Sequence, residues 1–317
     1  MSTKSISSSK NLTIVVIGAS GDLSLKKIFP AFYTLFQQKL IPENFHIVGF
    51  SRTNMTDETF REKIKNFLPE NSASTIDDFL KRCYYCQGNY SEIQDYAKMG
   101  NLIQQLEEGN LSSKMYYLAI PPFLFLTVSD ALAHSNLIHA QEEKGIWTRV
   151  VVEKPFGKDR ESSDELTAGL QKVFREEQVY RIDHYLAKEV IQNLMVIRFA
   201  NLILEPLWNR QYIQNVRISW MEDIGIEGRG GYFDEYGIIR DVMQNHLLQI
   251  LALVAMEQPI QLKAGYIRDE KVKVLRCIPP VSLSQLVVGQ YGPGVMQCKK
   301  CEVKNGYRDE EGVPKDS

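Results

Sequence analysis

A chain of 317 residues is long for one ordinary hydrophobic core, and its length favours two domains. Apolar residues make up 44% and charged residues 24%, a balance that excludes a disordered chain and a membrane-embedded one. The formal net charge of -2 leaves no positive surplus to drive nonspecific binding to nucleic acid or a membrane surface, so any anion site has to be local.

Met1 to Lys10, rich in serine and lysine and without an apolar stretch of signal length, reads as a disordered arm. No apolar run reaches the length of a bilayer span. Five cysteines, an odd number in a large chain without a signal, point to reduced thiols and a cytoplasmic location. Leu12 to Ile17 is a β-branched strand ending in Gly18, Leu23 to Lys39 has helical spacing, and His46 to Phe50 is a second strand. That is one β-α-β unit and implies a parallel sheet. Met115 to Ile120 and Arg149 to Val152 repeat the buried-strand pattern, which predicts a doubly wound α/β domain over residues 11–178. The rhythm then changes. Arg181 to Asn201 reads as one long helix, Asn215 to Trp220 as a strand and Ile238 to Met256 as an apolar helix. Val272 to Leu275 and Leu286 to Gln290 read as further strands, so residues 179–317 are expected to form an incomplete α+β domain with a mostly antiparallel sheet.

Cys83 with Cys86 and Cys298 with Cys301 have metal-like spacing. The first pair lies in a β-prone run that points positions three apart to opposite faces, and the second has no histidine nearby, so no metal site is expected.

Five segments bear on chemistry. Gly18-Ala-Ser-Gly-Asp-Leu-Ser24 joins the first strand to the first helix, where backbone amides and the helix end hold a dinucleotide pyrophosphate. The spacing is Gly-x-x-Gly with Ser24 at the third glycine position, so a structural turn is the alternative. At the end of the second strand Phe50-Ser51-Arg52-Thr53 lacks the acid that holds the ribose of NAD. Arg52 with hydroxyl neighbours suits a 2′-phosphate, hence NADP, against a solvated loop arginine. Glu153-Lys-Pro-Phe-Gly-Lys158 aims Lys154 beyond the carboxyl end of its strand, where ligands lie in open α/β sheets; a surface salt-bridge lysine is the alternative.

Arg181-Ile-Asp-His-Tyr-Leu-Ala-Lys-Glu189 is expected to place His184 and Lys188 on one helical face as a phosphate grip. Taken alone, Asp183 reads as a cap and His184 as a surface residue. In Asp241-Val-Met-Gln-Asn-His246, a histidine among Met243, Leu247 and Leu248 reads more readily as a satisfied core residue than as a catalyst. Asp241 lies five residues from His246, about 140° around an ideal helix, so Asp183 is the better partner for that imidazole.

In this order the motifs resemble the glucose-6-phosphate dehydrogenase family, from about Leu12 to at least Gln290. Gly18 to Leu23, Glu153 to Gly157, Arg181 to Lys188, and Glu227-Gly-Arg-Gly-Gly-Tyr-Phe-Asp-Glu through Asp241 to His246 carry the resemblance. It implies a Rossmann-type coenzyme domain and an oxidoreductase that converts glucose 6-phosphate to 6-phosphoglucono-lactone with hydride transfer to NADP, the first step of the pentose phosphate pathway. By the resemblance His246 is the general base and Asp183 holds its ring. His184, Tyr185 and Lys188 bind the sugar phosphate, and Lys154, Glu222 and Asp241 contact the sugar hydroxyls. Gly18, Ser20, Gly21, Asp22, Leu23, Lys27, Arg52 and Lys154 are coenzyme contacts, and Pro155 is a hinge proline that the family tends to hold in cis.

Ala187 departs from the family's usual glycine. The family's second domain also continues past residue 317, with more strands, further basic residues, the subunit interface and, in some members, a structural NADP site. The sequence drifts from about Tyr291, and Gly306 to Ser317 is polar and turn-rich. The resemblance implies a homo-oligomer whose interface is incomplete here, and an unfinished sheet leaves unpaired edges. Two other readings stand beside it: a noncatalytic NADP-binding chain that pairs with full-length subunits, and a Rossmann-type oxidoreductase for another phosphorylated sugar.

Overall fold

The computed structural model describes residues 11–69, 73–139, 145–226, 228–295 and 303–317. The arm at Met1 to Lys10, Glu227, and the pair Cys298 and Cys301 lie outside them. The chain divides into two compact units, Met1–Ile182 and Asp183–Ser317.

The first unit is a six-stranded parallel sheet. In chain order its strands are β1 (Asn11–Ile17), β2 (Asn44–Ser51), β3 (Cys83–Gln87), β4 (Ser113–Leu118), β5 (Thr148–Val152) and β6 (Val179–Arg181), arranged β3-β2-β1-β4-β5-β6. The crossovers carry α1 (Phe29–Gln37), α2 (Asp57–Lys65), α3 (Ala73–Leu80), α4 (Ile93–Glu107), α5 (Phe125–His134) and α6 (Arg160–Val173). Both faces of the sheet are covered, which is why β1 reads as a continuous apolar run without alternation. Ile14 and Val16 face a core with Phe29, Tyr33, Phe60 and Phe79, while Val15 and Ile17 face another with Phe50, Tyr96, Tyr116 and Phe125. Cys83 lies in the first of these cores and Cys86 packs against the second, on opposite faces of β3.

Strand β6 carries the first unit's sheet past residue 178, with Val179, Tyr180 and Arg181 paired to Val150, Val151 and Val152 of β5. It also corrects the single helix expected from Arg181 to Asn201. After β6 comes a 3-10 turn, His184–Ala187, then Lys188 in extended conformation, and only then α7 (Glu189–Ala200). The Asp183 carboxylate accepts the backbone N–H of Tyr185 at 3.0 Å. A short polar side chain that satisfies the backbone locally competes with helix continuation, so His184 and Lys188 do not share a helical face.

The second unit continues with α8 (Gly230–Ile238), which kinks at Gly237 where φ is +69°. A π-helix, Ile239–Leu247, leads into α9 (Leu248–Ala255), followed by α10 (Ala264–Cys277). Val272 to Leu275 is therefore helical. Its alternation sits among Arg268, Glu270, Lys271 and Lys273, and these good helix formers decide the local structure. Asn215 to Trp220 and Leu286 to Gln290 are irregular, since an extended run without a strand to pair with makes no sheet. Among the described residues, antiparallel pairing in this unit is confined to β7 (Gly294–Val295) and β8 (Val303–Lys304). The polar, turn-rich reading of Gly306 to Ser317 is incomplete: Tyr307 and Val313 are buried with Ile226, against Phe233.

Candidate active site

In the first unit the sheet order reverses between β1 and β4, and the crevice at that reversal is where open α/β sheets bind ligands. Gly18 follows β1 there with φ at +91°, and a Cβ on it would stand 2.2 Å from the Ala119 carbonyl oxygen beyond β4. No other residue type fits. Its N–H donates to the Phe50 carbonyl at 2.8 Å, and the Gly21 N–H donates to the Gly18 carbonyl at 3.0 Å. The buried Ser24 hydroxyl donates to that carbonyl at 2.9 Å, so the residue at the third glycine position closes the turn. Helix follows at once, as a π-turn over Ser24–Ile28 continuous with α1, and no side chain caps its start. The turn and the open helix end fit a pyrophosphate.

Around this turn Asp22 and Leu23 are exposed, with Asp22 paired to Lys26 at 2.6 Å, and Lys27 is exposed on the first helical turn. Arg52 is exposed at the end of β2 with its guanidinium 5.5 Å from the centre of the Tyr90 ring. Lys154 follows β5 at the same carboxyl edge, and its peptide bond to Pro155 is cis. Beside it Glu153 accepts the Tyr117 hydroxyl at 2.5 Å. Burial, reinforced by that carboxylate, raises the Tyr117 pKa.

The second unit holds a separate cluster. His246, on the π-helix, is 2% exposed, and its Nδ1 meets Asp183 Oδ1 at 2.6 Å. A carboxylate only accepts, so the Nδ1 proton donates and Nε2 of the neutral ring keeps its lone pair. Nε2 is buried without a hydrogen-bond partner. Tyr185 stacks on the imidazole with centroids 4.2 Å apart and planes 15° apart, and His184 meets it edge-on at 4.7 Å. The Lys188 ammonium sits 3.6 Å from the centre of the Tyr185 ring, and the Trp220 indole N–H donates to the Tyr185 hydroxyl.

Asp241 accepts the Tyr232 hydroxyl at 2.9 Å; burial, then this carboxylate, raises the Tyr232 pKa. An i to i+5 repeat brings residues five apart toward one face, so the 140° of an ideal α-helix does not apply between Asp241 and His246. Glu222 stands exposed in an irregular segment, and no described contact joins it to the cluster. Trp220 and Tyr232 escaped the sequence reading. Lys271 did too, its ammonium donating to Gln249 at 2.9 Å. Burial lowers the Lys271 pKa while the Asp183 charge raises it. An aromatic or a lysine on a helix or in an irregular run is indistinguishable from core or surface until its partner is known.

The strand order and the glycine turn at its switch point define a dinucleotide-binding α/β protein of the Rossmann class. Residues 15–193 match the family model for the glucose-6-phosphate dehydrogenase NAD-binding domain, and residues 195–317 match that for the C-terminal domain of the same enzyme. The chain belongs to the glucose-6-phosphate dehydrogenase family. It is 49% identical over 320 residues to the chloroplastic glucose-6-phosphate 1-dehydrogenase of Spinacia oleracea, covering 99% of this chain and 54% of the relative. It is 46% identical over 317 residues to cytoplasmic glucose-6-phosphate 1-dehydrogenase 6 of Arabidopsis thaliana, covering 96% and 58%. A solved glucose-6-phosphate dehydrogenase in complex with its substrate glucose-6-phosphate superposes with a TM-score of 0.88 at 39% identity, over 97% of this chain and 63% of that one. The chain thus spans about half the length of the curated relatives it matches. Among the described residues no helix is long and apolar enough to cross a membrane.

Proposed function

We propose that the chain binds NADP and oxidises glucose 6-phosphate at C1, giving 6-phosphoglucono-lactone. The observation that carries this reading is the dyad of a buried imidazole and a half-buried carboxylate: His246 with Nδ1 committed to Asp183 and an unpartnered Nε2. A ring so held takes the C1 hydroxyl proton at Nε2 as a general base, and the Asp183 carboxylate stabilises the imidazolium that forms. NADP bound at the glycine turn would supply the hydride acceptor for C1, which is left as the lactone carbonyl carbon.

Tyr185, Lys188 and His184 are the proposed phosphate ligands, supported by the exposed Lys188 ammonium beside the Tyr185 ring. Asp241, Glu222 and Lys154 are the proposed contacts to the sugar hydroxyls. Gly18, Ser20, Gly21, Asp22 and Leu23 would hold the pyrophosphate, with Lys27, Arg52 and Lys154 as further coenzyme contacts. Arg52 and the absence of an acid beside it favour NADP over NAD. A cytoplasmic location, as in two Arabidopsis relatives, and self-association complete the proposal.

The test is reduction of NADP by the purified chain with glucose 6-phosphate, followed by coenzyme absorbance, with NAD in a parallel reaction and His246→Asn as control. Turnover above the control with NADP preferred supports the reading. A folded, NADP-binding chain without turnover overturns the catalytic part and favours a noncatalytic chain that pairs with full-length subunits.

A further inference from the structure

After β2 the chain bends through Ser51, Arg52 and Thr53, and side chains of the neighbouring strand β3 hold all three carbonyls. The single Tyr85 hydroxyl proton is shared between two carbonyls, that of Thr53 and, at 3.1 Å, that of Ser51. Gln87 Nε2 donates to the Arg52 carbonyl at 3.3 Å. The phenol oxygen lies 2.7 Å from the Ser51 hydroxyl, whose one proton is within reach of both it and Ser20 Oγ at 3.0 Å. Ser20 in turn meets the Thr53 hydroxyl at 3.0 Å. One tyrosine therefore ties the glycine turn after β1 to the bend after β2.

The network runs outward. Ser51 and Tyr85 are buried, Ser20 is half-buried, and Arg52 and Thr53 are exposed. Packing explains the Tyr85 ring, which lies 5.1 Å from Phe60, and a phenylalanine would satisfy it equally. The hydroxyl is used on the bend instead, and burial raises its pKa, so it stays a neutral donor. In this fold class the end of β2 receives the adenosine ribose of a dinucleotide. A phosphate ester there offers several acceptor oxygens and selects donors held in fixed directions, such as a guanidinium fork and hydroxyls.

We propose that Tyr85 is a positioning residue for coenzyme choice, fixing the bend so that Arg52, Thr53 and Ser20 converge on a ribose 2′-phosphate. The inference rests on the NADP reading above. Its test compares 2′,5′-ADP with 5′-AMP, which differ only in the 2′-phosphate, by titration calorimetry on the wild-type chain and on Tyr85→Phe.

The expected result is about tenfold weaker binding of 2′,5′-ADP and no more than about twofold change for 5′-AMP, the scale of one lost hydrogen bond to a site that reads charge. An equal loss for both ligands, or no loss, in a variant with native thermal stability overturns the proposal. If Tyr85→Phe does not fold, Gln87→Ala on the exposed end of β3 decides. About threefold loss confined to 2′,5′-ADP supports the positioning role, and no selective loss overturns it. A wild-type chain that binds both ligands equally overturns the NADP reading, and this inference with it.

Discussion

On β1 of the first unit, Ile14, Val15, Val16 and Ile17 are all fully buried, split between two cores on the two faces of the sheet. In the second unit α7 leaves Val190, Val196 and Ile197 exposed, and Leu202 and Ile203 after it are more than three-quarters exposed. Order there comes from a few specific bonds: Asp183 to His246, Arg198 to the Leu253 carbonyl at 2.7 Å, and Trp208 to the Val254 carbonyl at 2.8 Å. The first unit spreads its stability over many interchangeable apolar contacts, whereas the second concentrates its order, and the chemistry proposed above, in a small number of side chains. Substitutions should therefore register as stability in the first unit and as rate in the second.

The largest expected effect tests the second half of that contrast. His246→Asn removes the proposed base and should lower turnover by about 10³-fold while NADP affinity, read by fluorescence quenching, stays within about twofold. Loss of coenzyme binding instead would make His246 a structural residue. Next, Phe60→Ala in the first core should cost about 3–5 kcal/mol of unfolding free energy in urea, against about 0.5 kcal/mol or less for Val190→Ala. A comparable loss at Val190 would break the comparison. Trp220→Phe removes the indole donor to Tyr185 and so loosens the ring that covers the His246 imidazole. We expect a fall in kcat of about three- to tenfold with the unfolding midpoint unchanged, on the scale of one hydrogen bond; a shifted midpoint with normal kcat would assign Trp220 to packing.

The same contrast governs what the sequence makes legible. The runs Leu12 to Ile17, His46 to Phe50 and Arg149 to Val152 fall within β1, β2 and β5, because in a βαβ unit each buried strand is bounded locally by glycine, proline or a helix start. The glycine turn is legible for the same reason. In the second unit local pattern misleads. Leu186, Val190, Leu194 and Ile197 keep helical spacing across a 3-10 turn and the extended Lys188, so a broken segment reads as one helix. Val272 and Val274 alternate, yet they lie in α10. The π-helix under Asp241 and His246 leaves no periodic signature. Partners far apart in sequence, such as Trp220 with Tyr185 or Tyr85 with Ser51, become visible only when the fold brings them together.

The smallest expected effect is a pH dependence at the amino edge of the first unit's sheet. His139 lies 3.5 Å from the Lys114 ammonium, which is 4.0 Å from Glu107. Burial, then the Lys114 charge, lowers the His139 pKa from its ordinary 6.5, and burial raises that of Glu107 from 4.5. The unfolded chain then binds the histidine proton more readily than the folded one. His139 therefore contributes stability that is present above pH 6.5 and is lost as pH falls through its folded value. Glu107 acts in the opposite sense, since its folded form keeps a proton that the unfolded chain releases, so stability declines as pH rises above 4.5. His139→Gln isolates the histidine. Its unfolding midpoint should fall less than that of the wild type as pH is lowered from 7.5 to about 5.5, while the glutamate slope remains in both. An equal or steeper fall in the variant would mean that the acid sensitivity of this edge lies elsewhere. The next candidate is then His46, whose pKa is also lowered, first by burial and then by Arg82.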